Sequence, residues 1–79
     1  DQELRKEAHD LDVTVWVGKG GIEAVVDELA DQLDDRKLVK AKFLRAARGG
    51  TTTDELAADL ADRDDAELVE TRGNTAVFH

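Results

Sequence analysis

The chain has no cysteine, so its 79 residues can build neither a disulfide framework nor a thiolate zinc site, and a reducing compartment suits it. Its two histidines, His9 and His79, have no second histidine or cysteine at metal-ligand spacing. No apolar run approaches the roughly 20 residues of a membrane span, and the opening Asp1, Gln2 and Glu3 are unlike a signal peptide. No nucleophile stands beside a paired base. These absences lead us to expect a soluble, cytoplasmic binding protein without a cofactor, a resident metal or an enzymatic activity. At 41% hydrophobic content the chain can form one domain, residues 1–79, with a core only just large enough to stand alone.

Basic residues are scarce. Eleven Lys and Arg face nineteen Asp and Glu, for a net charge of -8. Read alone, that balance repels polyanions. The distribution reverses the reading for one segment. Residues 36–53 carry Arg36, Lys37, Lys40, Lys42, Arg45 and Arg48 with no acid, a local +6, while the remainder stands at -14. Such a chain offers one surface to an anion and keeps the others solvated. The basic run can equally pair with neighbouring carboxylates, so both readings of Lys40, Lys42, Arg45 and Arg48 stand. The twelve Asp and seven Glu against five Lys resemble proteins of a salt-rich cytoplasm and point to a halophilic archaeon. At molar salt the Debye length is roughly 3 Å, and a net negative charge repels a partner only at contact range.

Periodicity supplies the elements. Leu4, Ala8 and Leu11 recur at helical spacing, giving a first helix over about residues 3–10. Val13, Val15 and Val17 alternate with Asp12, Thr14 and Trp16 as a strand; Trp16, opposite the valines, could stack on a base but is expected to pack under a helix. Ile22, Val25, Val26, Leu29 and Leu33 form the apolar stripe of a second helix. Residues 38–45 read as a strand whose Val39, Ala41 and Phe43 oppose Lys40 and Lys42. Thr52 and Glu55 form a capping box ahead of a third helix carrying Leu56, Ala57, Leu60 and Ala61. Residues 66–71 and 75–78 are closing strands, joined by the turn signal Gly73-Asn74. The expected fold class is α/β of the two-layer α+β type, in the order α-β-α-β-α-β-β with a four-stranded mixed sheet. Helical links favour parallel pairing, and the final hairpin must be antiparallel.

Between the first strand and the second helix lies Gly18-Lys19-Gly20-Gly21. Glycines let a backbone approach a ligand closely, the first amides of a helix lack partners, and the helix dipole favours an anion. Lys19 adds a mobile charge. The turn lacks the glycine-lysine-serine pattern of a nucleotide-binding P-loop, and no magnesium-binding hydroxyl stands beside Lys19. His9 reads as structural, His79 as a mobile end, and Asp34-Asp35 and Asp64-Asp65 as part of the general acid excess.

Several motifs in one order resemble the YhbY-like or CRM domain, named for chloroplast RNA splicing and ribosome maturation. They are Leu4-Arg5 with Ala8-His9 and Leu11, then Val15-Trp16-Val17-Gly18-Lys19-Gly20-Gly21-Ile22, then Leu38-Val39-Lys40-Ala41-Lys42. Leu56-Ala57, Leu60-Ala61, Glu67-Leu68-Val69 and Gly73-Asn74-Thr75-Ala76-Val77-Phe78 complete the series. The chain departs from the family at Phe78-His79, where an aromatic followed by arginine is common.

The resemblance implies a sheet similar to that of the C-terminal domain of bacterial translation initiation factor three, and a loop analogous to the GxxG loop of KH domains. It implies an RNA-binding domain acting on structured ribosomal RNA during large-subunit assembly; the sequence leaves the oligomeric state open, with a monomer favoured. Gly18, Lys19, Gly20 and Gly21 would be the primary site, Lys40, Lys42, Arg45 and Arg48 a basic extension, and Arg5 an outlying contact. A nucleotide- or phosphate-binding module and a protein-interaction adaptor are the alternatives.

Overall fold

The computed structural model describes residues 2–79, apart from the side chains of Gln2, Leu4 and Arg5. Helices α1 (Gln2–His9), α2 (Val26–Asp35) and α3 (Thr53–Arg63) alternate with strands β1 (Val13–Val17), β2 (Val39–Phe43), β3 (Leu68–Arg72) and β4 (Thr75–Phe78). The sheet order is β1-β2-β4-β3. Strands β1 and β2, linked through α2, run parallel, whereas β4 is antiparallel to both β2 and β3. The mixed sheet expected from the connections is therefore present, and β4 lies inside it. No described helix is long and apolar enough to cross a membrane.

Alternation sorts the strands onto two faces. Val15, Val17, Val39, Ala41, Phe43, Ala76 and Phe78 are buried against Ile22, Val25, Leu29, Ala57, Leu60 and Ala61, so α2 and α3 cover one face. Phe43 and Phe78 are fully buried there, each contributing about 1.5–3 kcal/mol of transfer free energy. On the opposite face Ala8 of α1 joins Leu38 and Val77, with Leu11 and Val69 packed beside them. That second cluster is small, and α1 lies toward β3 rather than β1. Half of the second face is left open.

Several local outcomes differ from the sequence reading. Residues 22–25 form a 3₁₀ turn, and the α-helix begins only at Val26, because the chain enters through Gly21 at φ 73° with no side chain capping it. The second strand is Val39–Phe43, and the third begins at Leu68. The Thr52 cap forms, its hydroxyl accepting from Glu55 N–H at 3.1 Å, but the Glu55 carboxylate accepts from the Thr51 hydroxyl at 2.8 Å. His79 is tied down instead of mobile: its N–H and carbonyl exchange two 2.9 Å bonds with Glu67, and its Nδ1 lies 3.2 Å from the Glu67 carboxylate.

The entry and exit of the 18–21 turn are held on both sides. Gln32 of α2 accepts from the Thr14 hydroxyl at 2.5 Å and donates to the Thr14 carbonyl at 3.2 Å, fixing α2 against β1. Leu44 N–H donates to the Val17 carbonyl at 2.8 Å, extending the β1–β2 pairing past its last residue.

Candidate functional site

Gly18 to Gly21 form a tight turn closed by a 2.9 Å bond from Gly21 N–H to the Gly18 carbonyl. The three glycines meet different demands. Gly21 has the positive φ that side chains disfavour, whereas a Cβ on Gly20 would stand 3.0 Å from the Ala24 Cβ. Gly18 needs neither; a Cβ there would make ordinary contact with Leu44, 3.7 Å away. Lys19, at the turn's exposed apex, enters none of the ion pairs found among the described residues. The hydrogen bonds of the turn use the amides of Gly21 and Ala24, leaving those of Lys19 and Gly20 outside the backbone network. Because a 3₁₀ turn follows, the α2 axis starts at Val26, and its dipole reaches the turn only weakly.

Register places the basic strand. Trp16 pairs with Lys42, Lys42 with Thr75, and Thr75 with Arg72, so these four residues form one row across all four strands. They share the face opposite the α2–α3 core. A second row on that face runs from Lys40 through Val77 to Glu70, its one carboxylate. Lys42 is exposed and Lys40 half-buried. Among the described residues the ion pairs are Lys37–Glu7, Arg63–Glu23, Arg63–Asp59 and His79–Glu67. Lys40, Lys42 and Arg45 are in none of them.

Arg45 and Arg48 follow β2 in and just after the 3₁₀ turn Arg45–Ala47. Arg45 is exposed. The half-buried Arg48 donates from Nε to the Phe43 carbonyl at 3.1 Å, so part of its donor set already fixes the end of β2. It also lines an open cleft of about 320 Å³ with Thr51, Thr52, Thr53, Asp54, Gly73 and Asn74. Asp54 puts a carboxylate at the N-terminal end of α3 and accepts from the Thr71 hydroxyl at 2.6 Å, which makes this cleft a poor anion site. Arg5 belongs to α1, and its side chain lies outside the described residues.

Trp16, expected under a helix, and Leu44, given no role by the sequence, join this end of the sheet. Trp16 is 55% exposed and Leu44 38%, the two large hydrophobic side chains left open among the described residues. Trp16 does not pack under a helix, because α1 covers the other half of its face. Alternation had placed it opposite the valines; the position of α1 was the missing information. Arg72 completes the row, its Nη2 lying 3.3 Å from Nε2 of His9. That nitrogen accepts only in the neutral tautomer protonated on Nδ1.

The acid pair at the end of α3 has its own chemistry. One Asp64 oxygen, Oδ2, is buried with no hydrogen-bond partner among the described residues. Burial, and then the charge of Asp27, raises the Asp64 carboxyl above its ordinary 3.8. Asp65 has φ 52°, the left-handed conformation that ends a helix.

Comparison with known proteins places this geometry. A protein of Methanocaldococcus jannaschii named "Probable RNA-binding protein MJ0652" is 44% identical over 71 residues, 90% of this chain and 53% of that protein. The chain thus spans about half the length of that relative. "Probable RNA-binding protein YqeI" of Bacillus subtilis is 32% identical over 77 residues, 96% of this chain and 78% of that protein. The solution structure of the hypothetical protein SAV1595 from Staphylococcus aureus superposes with a TM-score of 0.79 at 33% identity, covering 99% of this chain and 80% of that one. With the CRS1 / YhbY (CRM) domain model matching residues 1–79 as well, the chain belongs to the CRS1/YhbY (CRM) domain family.

Proposed function

We propose that this domain binds RNA, and that it holds the sugar-phosphate backbone at the end of the sheet where the 18–21 turn, Lys42 and Arg45 meet. The observation that carries the reading is the pairing state of the cations. In a chain of net charge -8, Lys19, Lys40, Lys42 and Arg45 stay out of the carboxylate pairs found among the described residues, and Lys42 and Arg45 lie at the end of β2 that borders the glycine turn. The names of the two relatives support the same partner. Phosphate contacts of this kind position a protein without reading bases, so sequence preference is slight. The RNA we propose is structured ribosomal RNA, met in the cytoplasm by a monomer during assembly of the large subunit. The domain performs no catalysis in this reading.

The test is a titration with fragments of large-subunit ribosomal RNA, set beside one with ATP. Saturable binding of the fragments, weakening with salt, and no ATP binding at micromolar concentration is the expected result. Micromolar ATP affinity with no response to RNA would sink the proposal and favour a nucleotide-binding module. Failure of both, with capture of one acidic protein from a native extract, would favour an adaptor.

A further inference from the structure

We infer that Trp16 is a stacking platform for an unpaired base, so that the site takes a single-stranded stretch of RNA across the open half of the sheet. This rests on the RNA reading above and adds the kind of RNA the face accepts. Burying a large aromatic stabilises a fold, yet Trp16 stays 55% exposed in a small domain with little core to spare. Its neighbours are not those of a protein interface. Lys42 stands beside it on β2, and Thr75 and Arg72 continue the row. Interface cores are depleted in charge, whereas single-strand grooves combine a cationic track with an aromatic surface.

The surroundings fit one occupant. Gly18 lies directly beyond Val17 and Leu44 beyond Phe43, and Leu44 sits against Gly18, so the glycine turn and an apolar wall border the platform. A base lying on the Trp16 indole brings its own backbone toward Lys42, with the Lys19 turn at the next step of the chain. At about 4.8 Å per strand, the open part of the row, from Trp16 through Lys42 to Thr75, spans roughly 10 Å, a track rather than a point contact. A-form duplex cannot use Trp16 this way, because its bases are already stacked on one another.

The chain carries one tryptophan and no tyrosine, so its emission reports this position alone. The probes are a fluorescently labelled oligouridylate of about eight nucleotides and a blunt RNA duplex of matching length. We expect the oligouridylate to quench Trp16 emission in step with the anisotropy change, while the duplex leaves the emission unchanged. Trp16→Ala should weaken oligouridylate binding roughly ten-fold, and Trp16→Phe, which keeps a ring, only about three-fold. Both variants should melt near the parent, since the side chain is largely exposed.

Binding by Trp16→Ala equal to the parent's, or equal quenching by duplex and single strand, would overturn the inference and leave the RNA reading in place. Binding of the oligouridylate with unchanged Trp16 emission would do the same. No binding of either probe, nor of the ribosomal fragments, would overturn the RNA reading and this inference with it.

Discussion

Phe43 N–H donates to the Asn74 carbonyl at 2.7 Å, joining the tip of the β3–β4 hairpin to the last residue of β2. The Phe43 carbonyl accepts in turn from Arg48, so both backbone groups of one buried residue hold the elements around it. The end of the sheet that presents Lys42 is thereby anchored from two directions. Preorganised donors lose less entropy on binding than mobile ones, which is what a phosphate site needs.

The first prediction concerns the turn. Lys19→Glu reverses a charge at an exposed residue with no positive φ, so it should weaken RNA binding similarly across sequences while the melting temperature holds. Lys19→Ala should weaken it less. Gly20→Asp with Gly21→Asp should abolish binding, at a structural cost: a Cβ at Gly20 would crowd Ala24, and a side chain at the Gly21 conformation costs about 1–3 kcal/mol. A melting curve must therefore accompany the assay. A folded Lys19→Glu protein that binds RNA like its parent would remove the turn from the site.

Replacing Lys40 and Lys42 together by Gln should lower the slope of log affinity against log salt by up to roughly 1.4, about 0.7 per lost single-strand phosphate contact. Neither side chain is in the core, so folding should persist. Lys42 should carry more of the change, being exposed where Lys40 is half-buried and one row closer to Glu70. An unchanged slope would exclude both lysines from the interface.

Asp64 makes stability depend on pH. Its folded pKa is raised, so the fold prefers the protonated carboxyl. That contribution is full below 3.8 and is lost as pH rises through the raised folded value. At neutral pH the ionised group therefore opposes folding. Asp64→Asn should melt above the parent at pH 7, the gap narrowing toward pH 4. A gap of constant size down to pH 3 would show that the ionisation of Asp64 is not its cause.

Asp65→Gly tests the left-handed turn beside it. Glycine adopts φ 52° without strain, and the relief outweighs the entropy glycine gains in the unfolded chain. A gain of about 0.5–1 kcal/mol in a denaturant titration is expected, with RNA affinity unchanged. A loss of stability would mean that the Asp65 side chain supplies more than its backbone costs.

What could be read from the residues followed from local rules. The period of two put Lys40 and Lys42 opposite Val39, Ala41 and Phe43, and Thr52 marked its helix, since alternation and capping involve only near neighbours. What could not be read depended on distant partners. Alternation assigned Trp16 to a face but could not say that α1 would lie over Val77 and Leu38 and leave the indole open. Gly21 signalled a turn, yet the 3₁₀ start after it follows from a backbone entry with no side-chain cap. The ladder between His79 and Glu67 needed the order of the strands. Lys19 was assigned to an exposed turn from the glycines alone, and there it stands.

The position of β4 bears on how the domain comes to exist during synthesis. Residues 75–78 supply the neighbour of both β2 and β3, so a growing chain that stops short of Thr75 has two strands with no hydrogen-bonded bridge between them. Until those four residues leave the ribosomal exit tunnel, the inner edge of β2 has no neighbour. A nascent chain arrested before residue 75 therefore exposes unpaired edges of β2 and β3, the kind of surface that invites pairing with other chains.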